Sequence, residues 1–508
     1  EELVKDGEVI TRASEVFGVG TPIWKTAIQG SGFITWYGRE KEFEPHVAAN
    51  RRSYVNVEEA FSWQPSSWDD LTPEGDAWWT GQNNFHNSRS GLLTWMAASH
   101  REGIKLITYI WSTASGPAGA ETARRVPETI TNEAIGLSSE FHDVEDLRLY
   151  DLTHSKPSLW RHQYGVWHSF GINRGRLTAI ELAVNELIAS TKAFGWDGVR
   201  FDSPPTWSAM GRLPAIAELE RMGVKEVMTK VMPELFTSTA EQWTSEEISI
   251  RNYRYTRYRL REALGPNYAI SSNFGIDMPK LGPVAQEAAK AGGQIMQEAI
   301  RQSTSWQAYA NSCRTQAELL RQSEGYHTVC GMNKQGLLDL VYSSVYTFAS
   351  GSHPYLAGGF ALAPSAGNSY GQFMTRYGEY CWSRDLAPLP VAKSGITVTS
   401  AAPLQWQPWL RQRTLADGTR ETVVHLITPP PTDAIAPEMA PWPRPWQKDI
   451  QVHLAGTGPA PEVWRLCAEP QVIAEQLPVT AEQGRFIVTI PTHRVWTMMV
   501  WRQREVAK

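Results

Sequence analysis

The sequence predicts an α/β chain: a (β/α)8 barrel followed by an antiparallel β-sandwich. Three observations predict it. From about residue 30 to 360, short β-like runs alternate with longer amphipathic stretches, the rhythm of parallel strands joined by helical crossovers. Eight such β-then-α units fit a closed barrel rather than an open sheet. From about residue 391, alternating runs recur with no long helices between them, which reads as a sandwich.

The barrel strands are expected at 33–37 (FITWY), 104–111 (IKLITYIW), 148–152 (RLYDL), 197–202 (DGVRFD), 268–273 (YAISSN), 293–298 (GQIMQE), 327–332 (HTVCGM) and 353–356 (HPYL). Helical runs at 90–102, 177–194, 306–321 and 337–349 separate them. Segments 54–89 and 203–252 read as insertions, the first carrying Trp63, Trp68, Trp78 and Trp79 as a cap over the mouth. Sandwich strands are expected at 421–428, 449–456, 462–469, 485–491 and 494–501. The Pro-rich stretch 429–446 reads as a loop between two of them. The expected division is a barrel over 1–390 and a sandwich over 391–508.

Composition narrows the function classes. The 508 residues are 42% hydrophobic and 20% charged, a folded composition. Lys+Arg 48 against Asp+Glu 53 gives a net charge of −5, which argues against a basic nucleic-acid-binding face. Mean hydropathy is −0.36. No apolar run reaches 18 residues, so no membrane partner is expected. Cys313, Cys330, Cys381 and Cys467 show no metal or redox spacing; Cys313 and Cys330 could pair or stay buried thiols. The chain starts Glu1-Glu2-Leu3, as a processed N-terminus would, and a secreted or periplasmic location is favoured over a cytoplasmic one. The outlier is Trp, 22 against 15 Phe, which suggests ring surfaces offered to flat partners such as sugars. Bulky loops on a large barrel would give the same excess.

Barrel active sites form at the C-terminal ends of the strands. Strand four ends in Asp202 and strand six in Glu298, two carboxylates set to face each other across one barrel. Glycoside hydrolysis needs that pair: one attacks or activates water, the other protonates the leaving oxygen. In GWDGVRFD (195–202), Gly198 permits close packing, Val199 and Phe201 face helices, and Arg200 and Asp202 face inward. An inward Arg200 would hold Asp202 ionised and oriented. Glu298 has a second reading as a first-turn helix residue. Asp277, Glu234 and Glu241 compete for the acid role.

The strand-four motif GWDGVRFD resembles the nucleophile strand of retaining α-glycosidase barrels. The α-amylase superfamily also carries an Arg-x-Asp there, but its acids on strands five and seven have no counterpart in Ser-Ser-Asn and Gly-Met-Asn here. A nucleophile on strand four with an acid on strand six resembles clan D enzymes and, with Glu298, glycoside hydrolase family 66, the dextranase-like enzymes. The resemblance covers most of the barrel as topology and about ten residues as motif. It implies a retaining hydrolase or transglycosylase acting on an α-linked oligo- or polysaccharide. Asp202 would be the nucleophile and Glu298 the acid/base.

Trp36, Trp111, Trp63, Trp68, Trp78, Trp79 and Trp160 are candidate sugar platforms, each with a core reading beside it. Asp151, Asn273 and His353 are candidates for sugar hydroxyls, and Asn83, Asn84, His86 and Asn87 form a polar cluster that could instead cap a helix. Asp143, Glu145 and Asp146 read as a solvated acidic loop before a calcium site. No cofactor or metal is expected. The sequence has no P-loop, G-x-G-x-x-G or H-E-x-x-H, so phosphoryl transfer, nicotinamide chemistry and zinc proteolysis are poorly supported. The alternatives left open are an inverting or β-acting glycosidase on the same barrel and a non-catalytic carbohydrate-binding protein.

Overall fold

The structure, a computed structural model, describes residues 2–5, 8–12, 20–31, 38–61, 63–64, 71–73, 75–79, 86–110, 113–115, 160–162, 165–167, 169–171, 177–201, 213–214, 226, 229, 242–274, 282–297, 303–329, 337–356, 364–435, 444–456 and 458–504. Eight parallel strands close a barrel in sequence order. They are β1 (Gln29–Ser31), β2 (Val57–Ala60), β3 (Lys105–Ile110), β4 (Gly198–Phe201), β5 (Ala269–Asn273), β6 (Gln294–Gln297), β7 (Tyr326–Val329) and β8 (His353–Leu356). Each is followed by a helix: α1 (Phe43–Arg52), α2 (Arg89–Arg101), α3 (Leu177–Phe194), α4 (Ser245–Leu264), α5 (Pro283–Ala289), α6 (Trp306–Gln322), α7 (Leu337–Ala349) and α8 (Pro364–Tyr377).

The barrel and sandwich stand as expected, but the first three strands need correction. The expected first strand, 33–37, lies outside the described residues, and the barrel uses Gln29–Ser31 instead. Segment 54–89 is not wholly an insertion, because Val57–Ala60 within it is the second barrel strand. The strand expected second is therefore the third. Residues 148–152 lie outside the described residues, and the eight strands close without them.

Local chemistry fixes the helix ends. Ser88 accepts from the Gly91 amide at the start of α2, and Ser305 accepts from Ala308 at the start of α6. Thr244 and Glu247 form a reciprocal capping box on α4. Apolar groups fill the barrel bottom, where Trp24, Ala27, Val57, Ile107 and Ala269 pack together. The outward faces of β3 to β5 bury Leu106, Ile110, Val199 and Ile270 against Leu92, Trp95, Leu187 and Tyr255 of α2 to α4.

The sandwich has a six-stranded sheet, β9 (Ala387–Pro388), β11 (Leu410–Thr414), β12 (Thr419–Ile427), β18 (Trp496–Arg504), β14 (Glu462–Cys467) and β15 (Ile473–Gln476), in that spatial order. The second sheet is β10 (Ile396–Thr399), β13 (Gln447–Ala455), β17 (Arg485–His493) and β16 (Val479–Glu482). The Pro-rich stretch links β12 in one sheet to β13 in the other. Val424, Leu426, Ile450, Val452, Val488 and Met499 fill the space between the sheets. A further core joins the two halves: Val341, Tyr346, Phe348 and Phe373 of α7 and α8 pack with Trp409, Val423, Leu466, Trp496 and Val500 of the sandwich. Cys313, Cys381 and Cys467 are buried thiols, and Cys330 lies outside the described residues.

Four buried histidines make the fold acid-sensitive. His327, His353, His425 and His493 have their pKa values lowered to about 3, in each case chiefly by burial. Their ring nitrogens are already engaged, as in the Trp496 Nε1 donation to His425 Nδ1 at 3.1 Å and the His353 Nδ1 donation to the Ala27 carbonyl at 3.1 Å. In the unfolded chain each titrates near about 6.5. Between that pH and about 3 the unfolded state binds protons the folded state refuses, so stability is full above the upper value and falls on acidification. The urea midpoint is expected to drop steadily from pH 7 to pH 4; a flat profile would contradict this assignment.

Candidate active site

The motif GWDGVRFD resolves residue by residue. Gly195 ends α3 with a φ of 89°, a left-handed turn that glycine adopts freely. Trp196 is buried against Trp63, with ring centroids 5.0 Å apart, and donates its Nε1 to Ser190. Asp197 ties the bottom of β4 to β3: its carboxylate accepts from the Leu106 amide at 2.9 Å and from Lys105 Nζ at 3.0 Å, and pairs with His100 at 2.7 Å. Burial raises its pKa, but the His100 bond and charge, with Lys105 and the Leu106 amide, bring the net value below the usual carboxylate range. A Cβ on Gly198 would stand 2.6 Å from the Ala269 carbonyl oxygen, so only glycine lets β4 lie this close to β5.

Arg200 enters the barrel interior and is fully buried there. Among the described residues its ionic partner is Glu59 on β2, through Nε and Oε2. The expected pairing with Asp202 lies outside the described residues; within them the guanidinium is held by a carboxylate from another strand. Arg200 Nη2 donates to Gln29 Oε1 at 2.6 Å and Gln294 Oε1 at 3.2 Å. Ser271 Oγ donates to Gln294 Oε1 at 3.1 Å, and Tyr355 Oη donates to Glu59 Oε1 at 3.2 Å. The guanidinium lies 5.5 Å from the Tyr355 ring centroid. Side chains from β1, β2, β4, β5, β6 and β8 thus meet in one charged layer. Barrel interiors are ordinarily dominated by branched apolar side chains. Here the apolar layer is at the bottom, and the polar layer lies nearer the C-terminal mouth.

Sequence reasoning missed Glu59. The visible signal was the pair Glu58-Glu59 between Val57 and Ala60: both acids are buried, with Glu59 inward and Glu58 outward. Glu58 bonds His46, accepts from Asn50 Nδ2 at 2.8 Å and lies 3.3 Å from Trp95 Nε1.

The remaining candidates divide by position. Asp202 directly follows Phe201, the last residue of β4, and Glu298 directly follows Gln297, the last residue of β6; both lie outside the described residues. Asp151, Trp36, Trp111 and Trp68 also lie outside them, as do Asn83, Asn84, Asp143, Glu145, Asp146, Asp277 and Glu234. Asn273 is the buried last residue of β5, at the mouth end. His353 corrects its assignment: it begins β8, so it stands at the opposite end of the barrel from the mouth. It is buried and stacked on Trp382 at 4.3 Å. Trp63 and Trp78 are core residues rather than platforms, since both are buried, with indole nitrogens donating to the carbonyls of Tyr109 and Trp63. Trp79 lies in a short hairpin strand, Ala77–Trp79, paired with His86–Ser88. Among the described residues no cluster of His, Cys, Asp or Glu could hold a metal ion, and no helix is long and apolar enough to cross a membrane.

No protein-family model matches the sequence, and no curated protein does. Solved structures do match. A cycloisomaltooligosaccharide glucanotransferase from Paenibacillus sp., complexed with cycloisomaltoheptaose, superposes with a TM-score of 0.65 at 10% identity, covering 95% of this chain and 86% of that one. The chain shares its fold. A maltogenic α-amylase from Thermotoga neapolitana superposes with a TM-score of 0.51 at 10% identity, covering 94% of this chain and 99% of that one. At such identity the likeness speaks for architecture, a barrel with a C-terminal sandwich, and the chemistry must be argued from the residues of this chain.

Proposed function

We propose that the chain is a glycoside hydrolase or transglycosylase that cleaves an α-linked glucan oligo- or polysaccharide with retention. The carrying observation is the charged interior layer of Glu59 and Arg200 beneath the C-terminal ends of a barrel whose β4 and β6 run directly into Asp202 and Glu298. Arg200 and Gln294 share the inward face of their strands with Ser271 of β5 between them. By strand alternation, positions 202 and 298 belong to that same face. In this reading Asp202 attacks the anomeric carbon as Glu298 gives its proton to the leaving oxygen. Glu298 then takes a proton from water or an acceptor sugar hydroxyl, whose oxygen displaces Asp202. Retention requires the two carboxyl groups to stand about 5–5.5 Å apart. Asn273, at the end of the intervening strand, is the proposed hydroxyl partner. The substrate class is supported by the sequence resemblance and by what the two structural neighbours are named for.

The test follows the product by NMR on linear α-glucans and isomaltooligosaccharides, with aryl α- and β-glucosides alongside. An α-anomer as first product from an α-linkage supports the reading; a β-anomer would make the enzyme inverting. Glu298→Gln is expected to lose most activity on natural substrates yet keep it on aryl glycosides whose leaving group needs no proton. Equal losses on both would remove Glu298 from the acid role. Absence of turnover, with sugar still bound, would favour a non-catalytic carbohydrate-binding protein.

A further inference from the structure

A second polar concavity lies at the opposite, N-terminal end of the barrel, where the starts of β7 and β8 meet the sandwich. Tyr326 and His353 open those strands, and Trp382 covers His353. Three guanidiniums line it: Arg321 from the end of α6, Arg384 from the connection into the sandwich, and Arg411 from β11.

Their partners leave positive charge over. Arg321 is held by Glu318, with contacts of 2.8 and 2.6 Å. Among the described residues neither Arg384 nor Arg411 lies within ion-pair distance of a carboxylate. Arg411 is buried and donates Nη2 to the Ser350 carbonyl at 2.6 Å, just past α7. Arg384 donates Nη2 to the Glu324 carbonyl, just past α6, and lies 4.8 Å from the Tyr326 ring centroid, while its Nε is buried with no partner. Each helix C-terminus contributes about half a negative charge. Three guanidiniums against one carboxylate and two helix ends leave a surplus of about one positive charge. Arg411 is buried and Arg321 and Arg384 are half-buried, so part of this surplus is held away from water, which is costly unless something negative shares the space.

We propose that this cleft binds a small oxyanion of the phosphate type, held by the forks of Arg384 and Arg411 beside the His353–Trp382 stack. The site is separate from the mouth, on the face of a barrel that ordinarily serves stability. Its occupancy would tie the barrel to the sandwich.

Inorganic phosphate titrated into the full chain at constant ionic strength tests this, with binding read by calorimetry and by the rise in unfolding temperature. Wild type should bind at one saturable site, and sulfate should compete where chloride does not. Arg384→Gln should weaken binding about tenfold or more, since it removes a charge-assisted contact. Arg101→Gln, which breaks an exposed pair with Glu44 far from the cleft, should bind as wild type. Should Arg384→Gln fold poorly, Arg384→Lys keeps the cation but not the fork and should bind with intermediate strength. No saturable phosphate binding, or equal binding by the Arg384 variants, would reduce these arginines to caps on helix ends and overturn the proposal.

Discussion

Asp202→Ala is expected to abolish turnover while leaving the fold intact. Removing a covalent nucleophile costs on the order of 10⁴ to 10⁶ in kcat. In the proposed mechanism alanine at 202 removes the nucleophile, while β4, which ends one residue earlier, keeps its anchors at Asp197, Gly198 and Arg200. Far-UV circular dichroism and the urea midpoint should therefore match wild type. Azide added to the variant should enter the space left by the carboxylate and restore turnover of an activated α-glucoside, giving the β-glucosyl azide. A variant with wild-type kcat would place the nucleophile elsewhere; one rescued to the α-azide would remove the covalent step.

The second large effect is on stability. Glu59→Ala is expected to destabilise the chain by about 3–5 kcal/mol, the cost of leaving a buried ion without its partner. The side chains of Arg200 and Glu59 are both almost wholly inaccessible, and Glu59 is the carboxylate that meets this guanidinium among the described residues. The double variant Glu59→Leu, Arg200→Met should regain most of the loss, because an apolar pair of similar volume avoids the desolvation of both charges. Equilibrium urea unfolding reads both. A loss under 1 kcal/mol for the single variant would show that the guanidinium has other compensation. The double variant should remain folded yet bind substrate poorly, since the floor beneath the mouth would have turned apolar.

What the sequence revealed follows from how each element earns its burial. β3 to β8 were legible because runs such as KLITYI and AISSN are apolar or β-prone and sit between strongly amphipathic helices. β1 is Gln-Gly-Ser, with no apolar residue to announce it, while the aromatic run at 33–37 just beyond it looked more like a strand. β2 hid for a different reason. Its two adjacent glutamates read as solvent-facing, whereas Glu59 is neutralised across the barrel by Arg200 and Glu58 is held by His46, Asn50 and Trp95. Alternation rules assume that charge means surface. They fail where ion pairing over long sequence separations makes burial tolerable. Part of the tryptophan surplus is packing: Trp24, Trp63, Trp95 and Trp306 fill the core, and Trp496 packs between barrel helices and the sandwich, while Trp36, Trp68 and Trp111 lie outside the described residues. The motif around Asp202 was legible as a strand, but its first six residues owe their identity to backbone approach, helix termination and interior pairing.

The core shared by α7, α8 and the sandwich sets an order of events for the nascent chain. Trp496 packs edge-on against Phe348 at 5.2 Å and Phe373 at 4.5 Å, and stacks on Tyr370 at 6.2 Å. Its strand, β18, is wedged between β12 and β14 in the six-stranded sheet. All of these partners are translated before it. The closing helices of the barrel therefore leave the ribosome before their outer faces can be fully covered, and β18, with Trp496 and Val500, supplies the last of that cover. The core shared by the two halves is therefore completed only once the sandwich has been translated. Neither half can complete that core alone.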